Sequence, residues 1–314
     1  MIPEDVAQMI KKITAALLCA LTALTFSACG GPAENPSAPE SAQSDGRIRV
    51  SVTFNAMAEF AKAVGKDKAD VSTIIPDGTE PHDFEPKAKD LAGLSTAKIF
   101  VYNGLGMESW AEKAISAAGN KNLIAVEASK GAEPIRSAEA GEKGQYDPHL
   151  WLSPKGAETE VKNICDAFVR ADPADAEYFR KNRDSFVAQL ESLSSEYGAK
   201  FKSAKNKSFV TGHAAFAYLC RDFGLKQNSV EDVFAEGEPS ARRLTELVDY
   251  CKANDVKTVF VEDMVSPEVS ETLARQVGAK LRTIYTMEGS EGGKSYLERM
   301  KANLQEINDS LLGT

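Results

Sequence analysis

Residues 174–202 form the longest helical pattern in the chain. Tyr178, Phe179, Phe186, Leu190, Leu193 and Tyr197 recur at helical spacing, no proline interrupts them, and Asp172-Pro173 opens the segment. A helix of that length rises roughly 43 Å at 1.5 Å per residue, enough to cross a molecule and join two lobes. On both sides of it, short β-branched runs alternate with helical stretches. Before it, strands are expected over 48–54, 71–76, 98–103 and 123–127, and helices over 56–64, 86–94 and 108–118. Ser153-Pro154, in the N-cap and N1 pattern, opens a further helix to about residue 170. After it, strands are expected over 208–211, 227–231, 258–262 and 280–285, and helices over 214–223, 240–254, 267–278 and 295–312. This is the βαβ rhythm of a parallel sheet, written twice without a sequence repeat. The expected fold is therefore α/β: two (β/α) lobes with parallel sheets, 47–173 and 205–314, joined by one long rigid linker helix over 174–204. The body of about 270 residues exceeds the usual size of a single core, which agrees with two lobes.

The first 29 residues read as an export signal. Lys11-Lys12 precede an apolar run over 13–26 that is short for a membrane span and ends in Ser27-Ala28. Cys29, after small residues and before Gly30-Gly31, resembles a lipobox cysteine, so lipidation at Cys29 is expected, with a plain cleaved signal as the alternative. Residues 30–46 are rich in Pro, Ser, Ala and Glu and poor in large apolar side chains, as a flexible tether is. Together they predict an extracytoplasmic protein anchored to a membrane through a lipid. The net charge of −9 argues against a nucleic-acid partner. Cys165, Cys220 and Cys251 have no metal-cluster spacing; they are either buried free thiols or include a Cys220–Cys251 bridge.

The chain has only three histidines, His82, His149 and His213, far apart in sequence and each in a distinctive segment. His82 and His149 follow a proline and His213 follows a glycine, neighbours that shape the backbone at a loop and let an imidazole be aimed. His82 follows the 71–76 strand and His213 the 208–211 strand. Glu262 and Glu288 follow later strands, so all four fall at carboxyl ends of strands, where open α/β sheets bind ligands. Each histidine also has a bland reading: His82 as a cap on a helix at Pro86, His149 as a core residue beside Trp151, His213 as a helix-start residue bonded to its own helix. Three neutral imidazoles drawn together by folding suit a borderline-soft cation, zinc first. For a fourth ligand there are two candidates. Glu288 lies in a Gly-containing loop able to approach a metal, and Glu262 could instead accept a hydrogen bond from an imidazole and orient it.

Thr79-Glu80-Pro81-His82-Asp83, Asn103-Gly104-Leu105 with Glu108-Ser109-Trp110, Asp147-Pro148-His149-Leu150-Trp151-Leu152-Ser153-Pro154 and Gly212-His213-Ala214-Ala215-Phe216 together resemble the metal-binding lipoproteins of bacterial ABC importers, the zinc-specific branch most closely. The resemblance runs from about Arg47 to the C-terminus. It implies two lobes around one rigid helix, with a metal in the cleft between them held by His82 and His149 from the first lobe and by His213 and a carboxylate from the second. Thr286-Met287-Glu288-Gly289 looks like the loop that supplies this carboxylate, which puts Glu288 in that role. The manganese branch tends to carry glutamate where this chain has His213, so zinc is implied over manganese. Two departures stand out: residues 133–145 lack the histidines that many zinc members carry there, and Ser153 stands where aspartate is frequent.

The resulting expectation is a monomeric, non-enzymatic receptor that captures Zn²⁺ and delivers it to an ABC permease in the membrane. The alternatives are a manganese-binding member of the family, a zinc-dependent hydrolase with an open coordination position and Glu262 as base, or a surface adhesin. Against the hydrolase, the chain has no His-Glu-x-x-His pair.

Overall fold

The computed structural model describes residues 46–137, 145–235, 240–262 and 266–313. The expected signal, most of the tether and Cys29 lie outside the described residues.

Strands β1 (Ile48–Val52), β2 (Ala69–Thr73), β3 (Ile99–Tyr102) and β4 (Ile124–Glu127) form a parallel sheet in the order β2-β1-β3-β4. Helices α1 (Asn55–Gly65), α2 (Ala111–Ala117) and α3 (Pro154–Ala171) accompany it. The second sheet repeats the plan with β5 (Ser208–Thr211), β6 (Lys226–Ser229), β7 (Thr258–Val261) and β8 (Lys280–Thr283), parallel in the order β6-β5-β7-β8. Its helices are α5 (Ala217–Phe223), α6 (Ala241–Ala253), α7 (Pro267–Val277) and α8 (Tyr296–Leu312), numbered around the linker α4 (Ala176–Ser203). The long pattern in the sequence is thus a single helix of 28 residues.

The central strands are fully buried, as both-face-covered parallel strands must be: Ile99, Phe100, Val101, Val259 and Phe260 are all 0% exposed. Phe179, Leu190, Tyr197 and Phe201 of α4 join a core cluster that also takes in Val52 and Phe168 on one side and Phe209, Phe260 and Leu304 on the other. Burial of each such side chain contributes about 1.5–3 kcal/mol, so the linker is welded to both halves. A second cluster, with Leu247, Val248, Val259 and Leu273, packs α6 and α7 on the second sheet.

The sequence reading needs correction at several places. The helix expected over 86–94 does not form. That stretch is a chain of turns, Asp90 N–H to Lys87 C=O and Leu94 N–H to Leu91 C=O, closing in a 3₁₀ turn at Ala92–Ser95. Only Leu91 and Leu94 turn inward, too few for a helical face, and Asp90 bonds back to the Lys87 amide (2.8 Å) in competition with a helix. Helix α2 starts at Ala111, not residue 108, because the Glu108 carboxylate turns inward to accept from Thr53 Oγ1 (2.7 Å), Asn103 N (2.9 Å) and Gly104 N (3.0 Å). Helix α5 starts three residues later than expected, since the His213 carbonyl is held by Thr211 Oγ1 (2.6 Å) and Gln227 Nε2 (2.9 Å). Ser153 stands at the N-cap of α3 with Pro154 at N1, but its hydroxyl donates to Asp222 and does not cap the helix. Cys165, Cys220 and Cys251 are buried free thiols, so the Cys220–Cys251 bridge is absent.

Candidate metal centre

In each sheet, parallel pairing continues past the carboxyl ends of the strands. Beyond β2, Ile74 and Ile75 still donate to Val52 and Thr53. Beyond β6, Val230 and Glu231 still donate to Thr211 and Gly212. The chain leaves β2 into the irregular segment that holds His82, and leaves β5 through Gly212 directly into His213. His149 opens a short 3₁₀ turn at Leu150–Leu152 ahead of α3, whose first turn packs so closely that a Cβ on Gly156 would lie 2.0 Å from the Leu150 carbonyl oxygen. Glu288 lies between β8 and α8, following Met287, whose φ of +60° is a left-handed conformation that a non-glycine residue adopts at a cost of about 1–2 kcal/mol.

The Glu288 loop is tied to the first half of the chain. Asn55 N–H donates to the Glu288 carbonyl (3.1 Å), Trp151 Nε1 to the Thr286 carbonyl (2.8 Å), and Ser290 N–H to Asp77 Oδ1 (2.7 Å).

His82, His149, His213 and Glu288 converge. His82 Nε2 is 3.1 Å and His213 Nε2 3.2 Å from His149 Nε2. Glu288 Oε1 is 3.6 Å from His82 Nε2 and 3.8 Å from His149 Nε2. One donor atom from each of the four lies within 4.8 Å of all the others. Ligands at about 2.0–2.1 Å from a tetrahedral zinc stand about 3.3–3.4 Å apart, so these spacings bracket a zinc coordination sphere.

Two imidazoles have their orientation fixed by a carboxylate behind them. Asp147 Oδ1 accepts from His149 Nδ1 (2.9 Å) and from the His149 backbone N–H (2.8 Å). Glu262 Oε2 pairs with His213 Nδ1, and its Oε1 accepts the His213 N–H (3.2 Å). With Nδ1 engaged by a carboxylate, both rings turn Nε2 inward, toward each other. Lone pairs at this separation repel unless a proton or a metal cation stands between them. Glu288 makes the same point: Oε2 accepts from Thr286 Oγ1 (2.8 Å), while buried Oε1 has no hydrogen-bond partner among the described residues and faces the imidazoles. His82 Nδ1 has no partner among the described residues either, so its ring is the least constrained of the three.

Electrostatics follow from burial and neighbours. Burial, then the adjacent His82 and His213, hold His149 well below the ordinary imidazole range. Burial opposes charge on His213 as well, yet Glu262 outweighs it and raises the ring to about 10. Charge in the cluster therefore collects on His213, and a divalent cation held by these four side chains would take the place of that proton. Glu288 would be raised by burial, but His82 and His213 bring it below the usual carboxylate range. Glu80 is pushed up, by burial first and by Glu288 second.

All four side chains named from sequence as metal ligands are brought together, and Glu262 takes up the orienting position considered for it. The bland readings hold in part, because His149 does pack on Trp151, with ring centroids 5.2 Å apart. Sequence reasoning passed over Asp147. A signal was present, since Glu80-Pro81-His82 and Asp147-Pro148-His149 are the same acid-Pro-His tripeptide, and in both the acid accepts the histidine N–H, at 3.1 and 2.8 Å. Phe234, edge-on to His82 with centroids 5.6 Å apart, was also passed over and no local motif marks it.

A family model described as zinc-uptake complex component A, periplasmic (ZnuA), matches residues 50–310. The chain is 39% identical over 320 residues to the high-affinity zinc uptake system protein ZnuA of Bacillus subtilis, covering 97% of this chain and 99% of that protein. It is 45% identical over 272 residues to a putative metal-binding protein of Treponema pallidum, covering 83% and 86%. Among solved structures, the laminin-binding protein of Streptococcus agalactiae, described as bifunctional with adhesin and metal transporting activity, superposes with a TM-score of 0.78 at 36% identity over 84% of this chain and 99% of that one. A two-sheet α/β fold, a three-histidine and one-carboxylate cluster, and a family match over nearly all of the described residues lead to one conclusion: the chain belongs to the ZnuA family of zinc-uptake proteins.

Proposed function

We propose that His82, His149, His213 and Glu288 hold one Zn²⁺, and that the chain is the extracytoplasmic solute-binding component that captures zinc and presents it to an ABC-type permease. The observation that carries this reading is the convergence of three inward-facing Nε2 atoms and the unpartnered Glu288 Oε1 within 4.8 Å of one another, with Asp147 and Glu262 holding two of the imidazoles from behind. Three imidazoles and one carboxylate suit zinc better than manganese, which prefers oxygen-rich sets. On this reading, residues 47–173 and 205–314 are the two lobes, each contributing ligands, and residues 174–204 are the linker. The protein acts as a monomer held to the membrane by a lipid on Cys29 through the 30–46 tether. Among the described residues no helix is long and apolar enough to cross a membrane.

A hydrolytic role has less support. It needs an open coordination position and a free general base. Four protein donors close a tetrahedron, and both oxygens of Glu262 are engaged by His213. The adhesin activity named for the streptococcal neighbour is not proposed for this chain.

Elemental analysis of protein purified without chelator tests the proposal. One equivalent of zinc, lost in His213→Ala, is the expected result. Manganese in place of zinc, or zinc retained by His213→Ala, would overturn it.

A further inference from the structure

The two acid-Pro-His tripeptides differ by one methylene, and that methylene sends the two carboxylates to different places. Asp147 reaches the back of its imidazole and bonds Nδ1 at 2.9 Å. Glu80 accepts the same backbone N–H but extends past the ring. Its Oε1 lies 4.0 Å from His82 Nε2, on the side that faces the centre, and leaves Nδ1 without a partner. Among the described residues, Glu80 and Glu288 are the two carboxylates within 4.0 Å of any Nε2 atom in the cluster. They differ in access. The side chains of His82, His149, His213 and Glu288 are 2%, 0%, 2% and 1% exposed, whereas that of Glu80 is 27% exposed. Phe234 covers His82 edge-on, so the approach to His82 is bounded by an aromatic ring and the Glu80 carboxylate.

We propose that Glu80 is the handover ligand of the site: its carboxylate takes the hydrated divalent cation at the mouth of the cleft and passes it to His82 and the buried donors, and takes it back on release. This rests on the zinc-site reading above. A carboxylate is suited to the first contact, because a hard oxygen donor can replace water on a cation that is still largely hydrated, and imidazole then displaces it. Once the cation is seated, Glu80 is free to keep its bond to the His82 amide, which positions the histidine for the next exchange. Glu80 is then a group that lowers the barrier between the free and bound states without defining either. It speeds entry and exit by the same factor, and the equilibrium is unchanged.

That property separates it from a structural or ligand role. Stopped-flow uptake of Zn²⁺ against a fluorescent chelator gives the association rate, and transfer to excess chelator gives the dissociation rate. Both are measured on the parent, Glu80→Gln and Glu80→Asp, with His213→Ala as the ligand-loss control. Gln preserves the volume and the oxygen that accepts the His82 N–H. Both rates are expected to fall about tenfold in Glu80→Gln, about 1.4 kcal/mol on the shared barrier, with Kd within about twofold of the parent. Glu80→Asp, which keeps the charge, is expected to retain part of both rates. His213→Ala is expected to lose affinity through faster dissociation. Unchanged rates in Glu80→Gln, or a dissociation rate that rises while association holds, would overturn the handover role and leave the zinc site standing. A parent that takes up no zinc would overturn both.

Discussion

Removal of the Asp147 carboxylate probes the orienting carboxylates most sharply, because Asp147 Oδ1 serves two donors of a histidine that is itself 0% exposed. In Asp147→Ala the His149 amide and its Nδ1 proton both lose their acceptor inside the protein. Each unsatisfied buried donor costs about 1–3 kcal/mol. At about 2–4 °C per kcal/mol for a protein of this size, chelator-treated Asp147→Ala is expected to melt about 4–24 °C below the parent. The effect on zinc is separate, because the amide is lost equally with and without metal. What changes is the tautomer. Without Asp147, the His149 ring is free to hold its proton on Nε2 and donate to His82 or His213, 3.1 and 3.2 Å away, and zinc binding must then reverse that choice. Orienting partners of metal-bound histidines are worth about 10–100-fold in affinity, or about 1.4–2.8 kcal/mol. Asp147→Asn keeps an acceptor oxygen in place and is expected to lose less than Asp147→Ala. Competition titration with a zinc-selective chelator measures the series, and the expected order of affinity is Asp, Asn, Ala. The reasoning fails if Ala binds within twofold of the parent, or if Asn is as weak as Ala, which would assign the effect to charge and not to tautomer.

Two further predictions concern the fold around the site. Glu160 of α3 is 0% exposed with neither carboxylate oxygen hydrogen bonded among the described residues, and burial, then Glu108, raises its pKa well above the ordinary value. Because its folded-state value lies above the unfolded one, the folded form holds a proton that the unfolded form has released. Stability from this group is therefore present at acid pH and lost as pH rises from the ordinary carboxylate range toward the folded value. Chelator-treated Glu160→Gln is thus expected to gain stability over the parent, the gap widening as pH rises above the ordinary carboxylate range in thermal melts, and a constant gap would contradict the assignment. Gly156→Ala sets a Cβ against the Leu150 carbonyl oxygen at 2.0 Å, a backbone atom that cannot yield cheaply. About 3 kcal/mol of stability and part of the zinc affinity are expected to go together, since the displaced turn begins at His149; an unchanged melting temperature refutes this.

The fold was largely legible because its signals are long or repeated. The proline-free pattern became α4, and all eight strands fall within or close to their expected ranges; the central β3 and β7 are apolar, β-branched-rich runs, as strands buried on both faces must be. The segment over 86–94 misled because local propensity favoured a helix. A local bond and a shortage of core contacts decided otherwise: Asp90 bonded back to the Lys87 amide, and only two leucines had core to meet. The site was legible for a different reason. With only three histidines in the chain, and His82 and His213 each following a strand at its carboxyl end, sequence and strand placement already marked both as candidates for one site. Asp147 was readable in principle, from the acid-Pro-His tripeptide. Phe234 was not, since its place beside His82 depends on how the two lobes meet.

Zinc K-edge X-ray absorption of the loaded protein tests the central claim most directly. The account predicts four light ligands at about 2.0–2.1 Å, three of them showing the outer-shell scattering of imidazole and one a carboxylate oxygen, with no water in the sphere. Fewer than three imidazoles, a sulfur ligand near 2.3 Å, or an exchangeable water in place of Glu288 would contradict it.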